Sequence, residues 1–194
     1  MPLAIHIEPE FRDVRRLMRR YPYHVVEKAT LRTLNRLGTS AASQARKGLA
    51  RAHKVPMKNF KSRVRVEKAT RTQHRVIIGF AQSRTSRTLS LLPGNLLITA
   101  GSLYRNMDDA KLLRRLHKDH ADHPSGNLSF IQRPRGYRLA LRREGKERYP
   151  LEVIRIDLAP AWRRIKTELR AQAAARFATE WERNAQFFMR RVRR

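Results

Sequence analysis

The sequence contains no cysteine. Disulfide bonds, thiolate zinc sites and cysteine nucleophiles are therefore excluded. It also has no run of about 18 apolar residues, the length that a helix needs to cross a bilayer. The first residues, MPLAIHIEPEF, lack the basic stretch followed by an apolar one that marks a secretory signal. We therefore expect neither secretion nor a membrane partner, and the missing cysteine fits a reducing compartment.

Acidic residues are also scarce, with 16 Asp and Glu against 44 Lys and Arg, which gives a formal net charge of +28. A chain this basic repels itself unless counterions or an acidic partner offset the charge. Nucleic acid is one such partner, because it releases condensed counterions when Lys and Arg bind. An acidic protein would serve equally, and the charge alone does not separate the two.

The few carboxylates are not arranged for catalysis. A metal-dependent nuclease needs clustered carboxylates near the phosphate, whereas Glu8, Glu10 and Asp13 lie where a helix is predicted to begin. Asp108 and Asp109 also look like the start of a helix. The sequence has no phosphate-binding glycine loop and no nucleophile elbow. We predict that the protein is not an enzyme and needs no cofactor.

One segment, HKDHADH, has a spacing that could suit a metal ion. His117, His120 and His123 are three residues apart, so on a helix they would share a face, and two aspartates lie between them. A metal-dependent nuclease centred here would lose activity on chelation. The alternative is a solvated polar segment that ends at Pro-Ser-Gly. We favour this second interpretation and predict no metal site, since no partner ligand pattern occurs elsewhere.

The apolar periodicity indicates an α+β fold in one domain of residues 1–194. Apolar or small residues recur every three or four positions in 23–53 and again after Pro160, which predicts two long helices. The small residues in LGTSAASQA allow another element to approach the first helix closely. Alternating segments predict a mainly antiparallel sheet of four or more strands. Residues 81–128 look like a loop-rich insertion, and 189–194 form a basic tail.

The predicted strand at 151–158 does not alternate cleanly. Leu151 and Val153 fall on one face, whereas Ile154 and Ile156 fall on the other. Apolar side chains on both faces indicate a strand covered on both sides, or one bulged so that its halves face different partners. In a ring of subunits, one of these partners would be the helix of the same chain and the other a neighbouring subunit. The predicted subunit interface also takes in the end of the C-terminal aromatic stripe and comprises Leu151, Val153, Ile154, Ile156, Trp181 and Phe188.

The segment FKSRVRVEKATRTQHRVIIGF predicts a β-hairpin with one apolar and one basic face. From Arg46 to Arg75 there are eleven Lys or Arg and a single acid, Glu67. The alternative is an ordinary solvated face, and we weigh the two equally. The residues predicted to face DNA or an acidic partner are Lys61, Arg63, Arg65, Arg71 and Arg75.

Two stretches resemble a known family. ATLRTLNRLGTSAASQARKGLARAHKVPMKNFKSRVRV is similar to the N-terminal half of minor tail protein Z of lambda-type long-tailed phages. FIQRPRGYRLALRREGKERYPLEVIRIDLAPA resembles its C-terminal half more closely, with FIQ, GK-R-YP and the apolar strand in the same order. The resemblance covers the chain from about Ala29 to Ala161 and rests on the order of several short motifs.

The resemblance implies a structural role in tail completion at the head-proximal end of the tail. It implies a virion protein, assembled in the host cytoplasm, that contacts tail terminator, tube or connector rings and brings no catalytic residues. We expect a ring, sixfold because a tail tube imposes rotational symmetry, with DNA in its channel. The alternative is a free-standing nucleic-acid-binding protein without sequence specificity, which would bind duplex DNA as a monomer or dimer.

Overall fold

The computed structural model describes residues 5–7, 18–80, 97–119, 129–143 and 150–192. The basic helical segment predicted after Pro9 lies largely outside these residues, as do 81–96, 120–128 and the last two arginines. Within the described residues the chain forms four α-helices: α1 (Tyr23–Ala52), α2 (Ala100–Leu103), α3 (Asp109–Asp119) and α4 (Ala159–Val192). Two short 3-10 helices, Met57–Phe60 and Pro134–Gly136, are also present. It also forms eight strands: β1 (Ile5–Ile7), β2 (Val64–Glu67), β3 (Val76–Phe80), β4 (Leu97–Thr99), β5 (Ser129–Gln132), β6 (Leu139–Arg143), β7 (Leu151–Val153) and β8 (Arg155–Asp157).

These elements confirm an α+β fold with two long helices and antiparallel sheets. The sequence predicted one sheet of four or more strands. Instead, the described strands form two sheets of three strands and one sheet of two. The 97–119 part of the predicted loop-rich insertion is also regular, containing β4, α2 and α3. The chain divides into two compact units, one of residues 1–94 with 160–194 and the other of residues 95–159.

In the first unit, α1 buries the stripe predicted from Ala29 to Leu49. At its start, however, the helix buries Val25, whereas Val26, which the periodicity had favoured, is half-buried. Its small residues permit close packing on two sides. A Cβ on Gly38 would overlap the Val76 side chain of β3, and a Cβ on Gly48 would lie 2.8 Å from Ile165 Cδ1 of α4. The expectation that the stretch LGTSAASQA admits a close neighbour is confirmed for a strand at Gly38, and Gly48, just beyond that stretch, admits a helix.

The first unit contains the sheet β1-β3-β2, in which both pairs are antiparallel. The predicted hairpin is confirmed, with Val64 opposite Phe80 and Val66 opposite Ile78. Every residue of β3 is buried, as expected for a central strand that is covered on both faces. Arg46 of α1 also donates a hydrogen bond from Nη2 to the Val64 carbonyl at 2.7 Å, which ties the helix to the basic strand.

Helix α4 runs along α1 and contributes both tryptophans to the core of the first unit. Trp162 packs edge-on against Phe80, with ring centroids 6.2 Å apart. Two buried polar pairs join the helices: Trp181 Nε1 donates to Thr30 Oγ1, and Asn184 Nδ2 donates to Thr33 Oγ1, both at 2.9 Å. Such pairs favour one register of the two helices, because sliding would leave buried polar groups without partners.

Helix α1 ends in a Schellman motif that has a lysine where glycine is usual. Lys54 has φ of 49°, and the next N–H, that of Val55, donates to the Ala50 carbonyl at 3.0 Å. A side chain in this left-handed conformation costs about 1 kcal/mol. Glycine removes that cost but gains freedom in the unfolded chain, so we expect Lys54→Gly to raise the free energy of unfolding by about 0.5 kcal/mol. Denaturant titration measures it. Lys54→Ala, which keeps the Cβ, should show no gain, and equal stabilisation by both variants would contradict this account.

The second unit contains the two-stranded sheet β4-β8 and the three-stranded sheet β5-β6-β7, and all of their strand pairs are antiparallel. Helix α2 packs on β6 so closely that a Cβ on Gly101 would overlap the carbonyl oxygen of Arg138. The Arg138 side chain in turn donates from Nη1 to the carbonyls of Tyr104 and Met107, at 3.0 and 2.6 Å, and pairs with Asp109. Arg138 therefore holds the segment between α2 and α3 against β6.

The irregular strand at 151–158 changes its hydrogen-bonding partner at Ile154. Residues before this point pair with β6, and those after it pair with β4. Ile154 itself serves both, because its N–H donates to the Ala140 carbonyl and its carbonyl accepts from the Ala100 N–H, each at 2.9 Å. The break in alternation therefore marks the residue at which one strand passes from one sheet to the next. Of the two interpretations of the sequence, a strand whose halves face different partners describes this arrangement.

Candidate interaction surfaces

The predicted basic residues lie on and beside β2, all in the first unit. Arg65 is within the strand, Lys61 and Arg63 precede it, and Arg71 and Arg75 lie in the connection to β3. Three of the five are exposed and two, Arg63 and Arg65, are half-buried. Arg71 Nε lies 3.5 Å from Glu27 Oε1, but the arginine side chain is 78% exposed, so this pair neutralises little.

Two lysines extend this basic surface beyond the predicted set. Lys54 and Lys58 are exposed and lie in the connection between α1 and β2. They follow the C-terminus of α1, where the helix dipole favours cations. Both are among the eleven basic residues counted from Arg46 to Arg75. They were not predicted to join this surface, because their position depends on how the chain leaves the helix. We call these seven residues the basic surface: Lys54, Lys58, Lys61, Arg63, Arg65, Arg71 and Arg75.

The residues predicted at a subunit interface have unequal exposure. Trp181 and Ile154 are 0% and 3% exposed, so each is a core residue of its own unit and offers almost no surface to a neighbouring subunit. Leu151, Val153 and Ile156 are half-buried. Phe188, near the C-terminal end of α4, is also half-buried. The burial of Trp181 has a clear cause in its hydrogen bond to Thr30 within the same unit.

A cluster of aromatic rings and guanidinium groups lies where the C-terminal end of α4 meets α1. Arg32 Cζ is 4.3 Å from the Phe187 ring centroid and 5.7 Å from that of Phe188, while Arg191 Cζ is 4.6 Å from Phe187. The two rings meet edge to face at 5.3 Å. We call Arg32, Phe187, Phe188 and Arg191 the arginine–phenylalanine cluster. The sequence signal for it was the Phe-Phe pair, since adjacent helical residues cannot share one buried face.

Several acidic groups of the second unit are engaged locally. Asp109 accepts from Arg133 Nη2 at 2.8 Å and pairs with Arg138, and Glu152 accepts from Arg142 at 2.6 and 2.8 Å. Hydrogen bonds from the backbone N–H of Lys111, and then of Ala110, hold the pKa of Asp108 below its usual value. Asp108 is therefore an ionised cap at the start of α3, the position that its sequence predicted. Asp108, Asp109 and Glu152 all have structural roles.

Lys166 on α4 has a perturbed pKa. Partial burial on α4, together with the nearby charge of Arg170, lowers the pKa of Lys166. Of the three histidines in HKDHADH, only His117 lies among the described residues, in α3. No three metal-ligating side chains converge within the parts of the chain that the structure describes. Among the helices described, none has the length and apolar character required to span a membrane.

In comparison with known protein families, residues 12–194 match a family model described as prophage minor tail protein Z (GPZ). Searches of curated proteins and of solved structures found no match. The family match includes both stretches on which the sequence resemblance rests and extends through both compact units. It also continues to the C-terminal end of α4, beyond the range of that resemblance. The chain therefore belongs to the prophage minor tail protein Z family, a family of phage tail components.

Proposed function

We propose that this protein is a structural, non-enzymatic component that completes the tail at its head-proximal end, in a ring around the DNA channel. The observation that carries the proposal is the family match over residues 12–194 in a chain of net charge +28. A protein of this charge needs a polyanion or acidic neighbours. DNA that crosses the channel at the junction of head and tail supplies the polyanion, and adjoining rings can supply acidic neighbours.

The ring is proposed to be sixfold, matching the rotational symmetry that a tail tube imposes. Its contacts are then heterologous, so two different surfaces of the chain must meet. Six copies carry 6 × 28 = 168 formal positive charges, which favours a position beside DNA. The apolar residues with exposed area, Leu151, Val153, Ile156 and Phe188, are the candidates for contacts between copies, and the basic surface is the candidate for DNA or an acidic ring.

Complementation of a phage that lacks this gene tests the proposal. Without the protein, we expect lysates to contain filled heads and full-length tails that remain unjoined in electron micrographs. Supplying the wild-type chain should restore joined particles, and gold-labelled antibody should mark the head-proximal end of the tail. Label at the tail tip, or normal joining without the protein, would overturn the proposal. A free-standing nucleic-acid-binding protein would instead be absent from purified particles.

A further inference from the structure

The arginine–phenylalanine cluster presents exposed apolar surface at the C-terminal end of α4. Phe187 is 37% exposed. A concave surface at the same end of α4 is lined by Tyr21, Gln186, Met189 and Arg190. This end of the helix thus combines aromatic and aliphatic groups with several guanidinium groups.

The charge around the cluster is of one sign. Within the described residues, neither Arg32 nor Arg191 pairs with a carboxylate. The two nearest acids on α4 are accounted for: Glu180 pairs with Arg36 at 3.4 Å, and Glu182 lies five positions before Phe187, about 140° around the helix. In the described part of α1, the single acid, Glu27, pairs with Arg71. No described carboxylate of this unit therefore neutralises the positive charge at the cluster.

We propose that this cluster is a docking site for an acidic protein segment that also carries apolar side chains. Carboxylates would pair with Arg32 and Arg191, while the apolar side chains would contact the exposed edge of Phe187. Charge-assisted hydrogen bonds to guanidinium are stronger than neutral ones. The apolar contacts distinguish the site from the other positively charged surfaces of the protein. The inference goes beyond the proposed function, because it holds for a partner at any position in the tail.

Charge complementarity at Arg32 and Arg191 favours an acidic protein over a second copy of this chain as the occupant. A copy brings its own net charge of +28, and most of its described carboxylates already pair with arginines or cap helices. Nucleic acid fits the charge but not the geometry. Single strands bind such sites by stacking bases on aromatic faces, whereas the Phe187 ring already contacts two guanidinium groups within 4.6 Å. An acidic, partly apolar peptide needs only the edge of the ring.

Fluorescence anisotropy with two synthetic peptides tests the docking site on the full-length protein. The first peptide alternates Asp and Glu with Leu and Phe, and the second has Ser at every apolar position. Near-physiological salt is needed, because at low salt any anion binds so basic a chain. We expect the first peptide to bind about tenfold more tightly than the second, a difference that two or three apolar contacts supply. Phe187→Ser should remove this preference. Equal binding of the two peptides by the wild type would overturn the proposal.

A matched pair of arginine variants separates the cluster from general charge. The double variant Arg32→Gln, Arg191→Gln should lower the affinity for both peptides about tenfold. Arg163 and Arg164 are exposed at the other end of α4. The double variant Arg163→Gln, Arg164→Gln should therefore lower the affinity about threefold at most. Equal effects of the two pairs would contradict a defined site.

Two further measurements do not depend on those arginine variants. The acidic–apolar peptide should slow hydrogen exchange of amides in residues 183–192 more than in 160–170. Protection that is absent or uniform along α4 would count against the site. Oligothymidine should bind Phe187→Ser as well as it binds the wild type. If Phe187→Ser instead lowers the affinity for oligothymidine as much as the affinity for the peptide, the partner is nucleic acid and the proposal fails.

Discussion

Reversal of five residues of the basic surface is expected to reduce the joining of heads to tails by about a hundredfold or more. The variant carries Lys61→Glu, Arg63→Glu, Arg65→Glu, Arg71→Glu and Arg75→Glu, and each change alters the charge by two units. A surface that contacts DNA phosphates loses several orders of magnitude in affinity when this many cations are removed. An acidic protein partner would be repelled in the same way. Phage titre and the fraction of joined particles in complementation measure the effect.

A second set of reversals with the same charge change is the matched control. Arginines on the exposed positions of α4 carry it: Arg163→Glu, Arg164→Glu, Arg170→Glu, Arg176→Glu and Arg183→Glu. These leave β2 and its flanking residues intact, so titre should remain within about threefold of the wild type if position matters and not only net charge. Thermal melting of both variants is required, because reversal at Arg71 places a like charge beside Glu27. Normal joining with a folded hairpin variant would exclude the assignment of this surface.

Gly101→Ala is expected to lower the stability of the second unit by about 3 kcal/mol, the upper part of the range for overpacking a buried site. The added Cβ would overlap the carbonyl oxygen of Arg138 and approach its carbonyl carbon to 2.8 Å. Neither atom can move away by a change of rotamer, since both belong to the backbone of the segment that enters β6. Helix α2 must therefore shift away from the sheet, which also strains the hydrogen bonds from Arg138 to the turn after α2.

Gly48→Ala provides the comparison, because its new Cβ would meet only the end of the Ile165 side chain, with Cδ1 at 2.8 Å and Cγ1 at 3.0 Å. We expect a loss of about 1 kcal/mol, part of which Ile165→Val should restore by removing Cδ1. Thermal and denaturant unfolding followed by circular dichroism measures all three variants. A loss for Gly101→Ala that is no larger than that for Gly48→Ala would show that α2 is not held as close to β6 as described.

Helix and strand identity was predictable along much of the chain. The period of buried residues in α1 and the alternation in β2 are local patterns that follow from helix and strand geometry. The small residues of α1 also predicted close packing without identifying the neighbour, and the structure supplies Val76 and Ile165. Lys61, Arg63 and Arg65 were predicted to share a basic face for the same reason, since they alternate with the apolar residues Phe60, Val64 and Val66.

The arginine–phenylalanine cluster could not be found in this way. Arg32 and Phe187 are far apart in the sequence, and their contact depends on how α1 and α4 align. That alignment is favoured by buried pairs such as Thr30 with Trp181. Trp181 illustrates the same point from the opposite direction. Its position on the aromatic stripe fitted either a core or an interface, and only the hydrogen bond to Thr30 and its complete burial assign it to the core.

By itself, then, the sequence determined the class of the fold, the two long helices, the basic hairpin and membership of a phage tail family. Each depends on residues that are close together in the chain or on the order of short motifs. The tertiary structure alone decided how the strands are distributed among sheets. The break in alternation at Ile154 was visible in the sequence, but its meaning was not. Both Ala140 and Ala100 must be brought to Ile154 before one residue can join two sheets, and hydrogen bonds between distant segments leave no local period by which to recognise them.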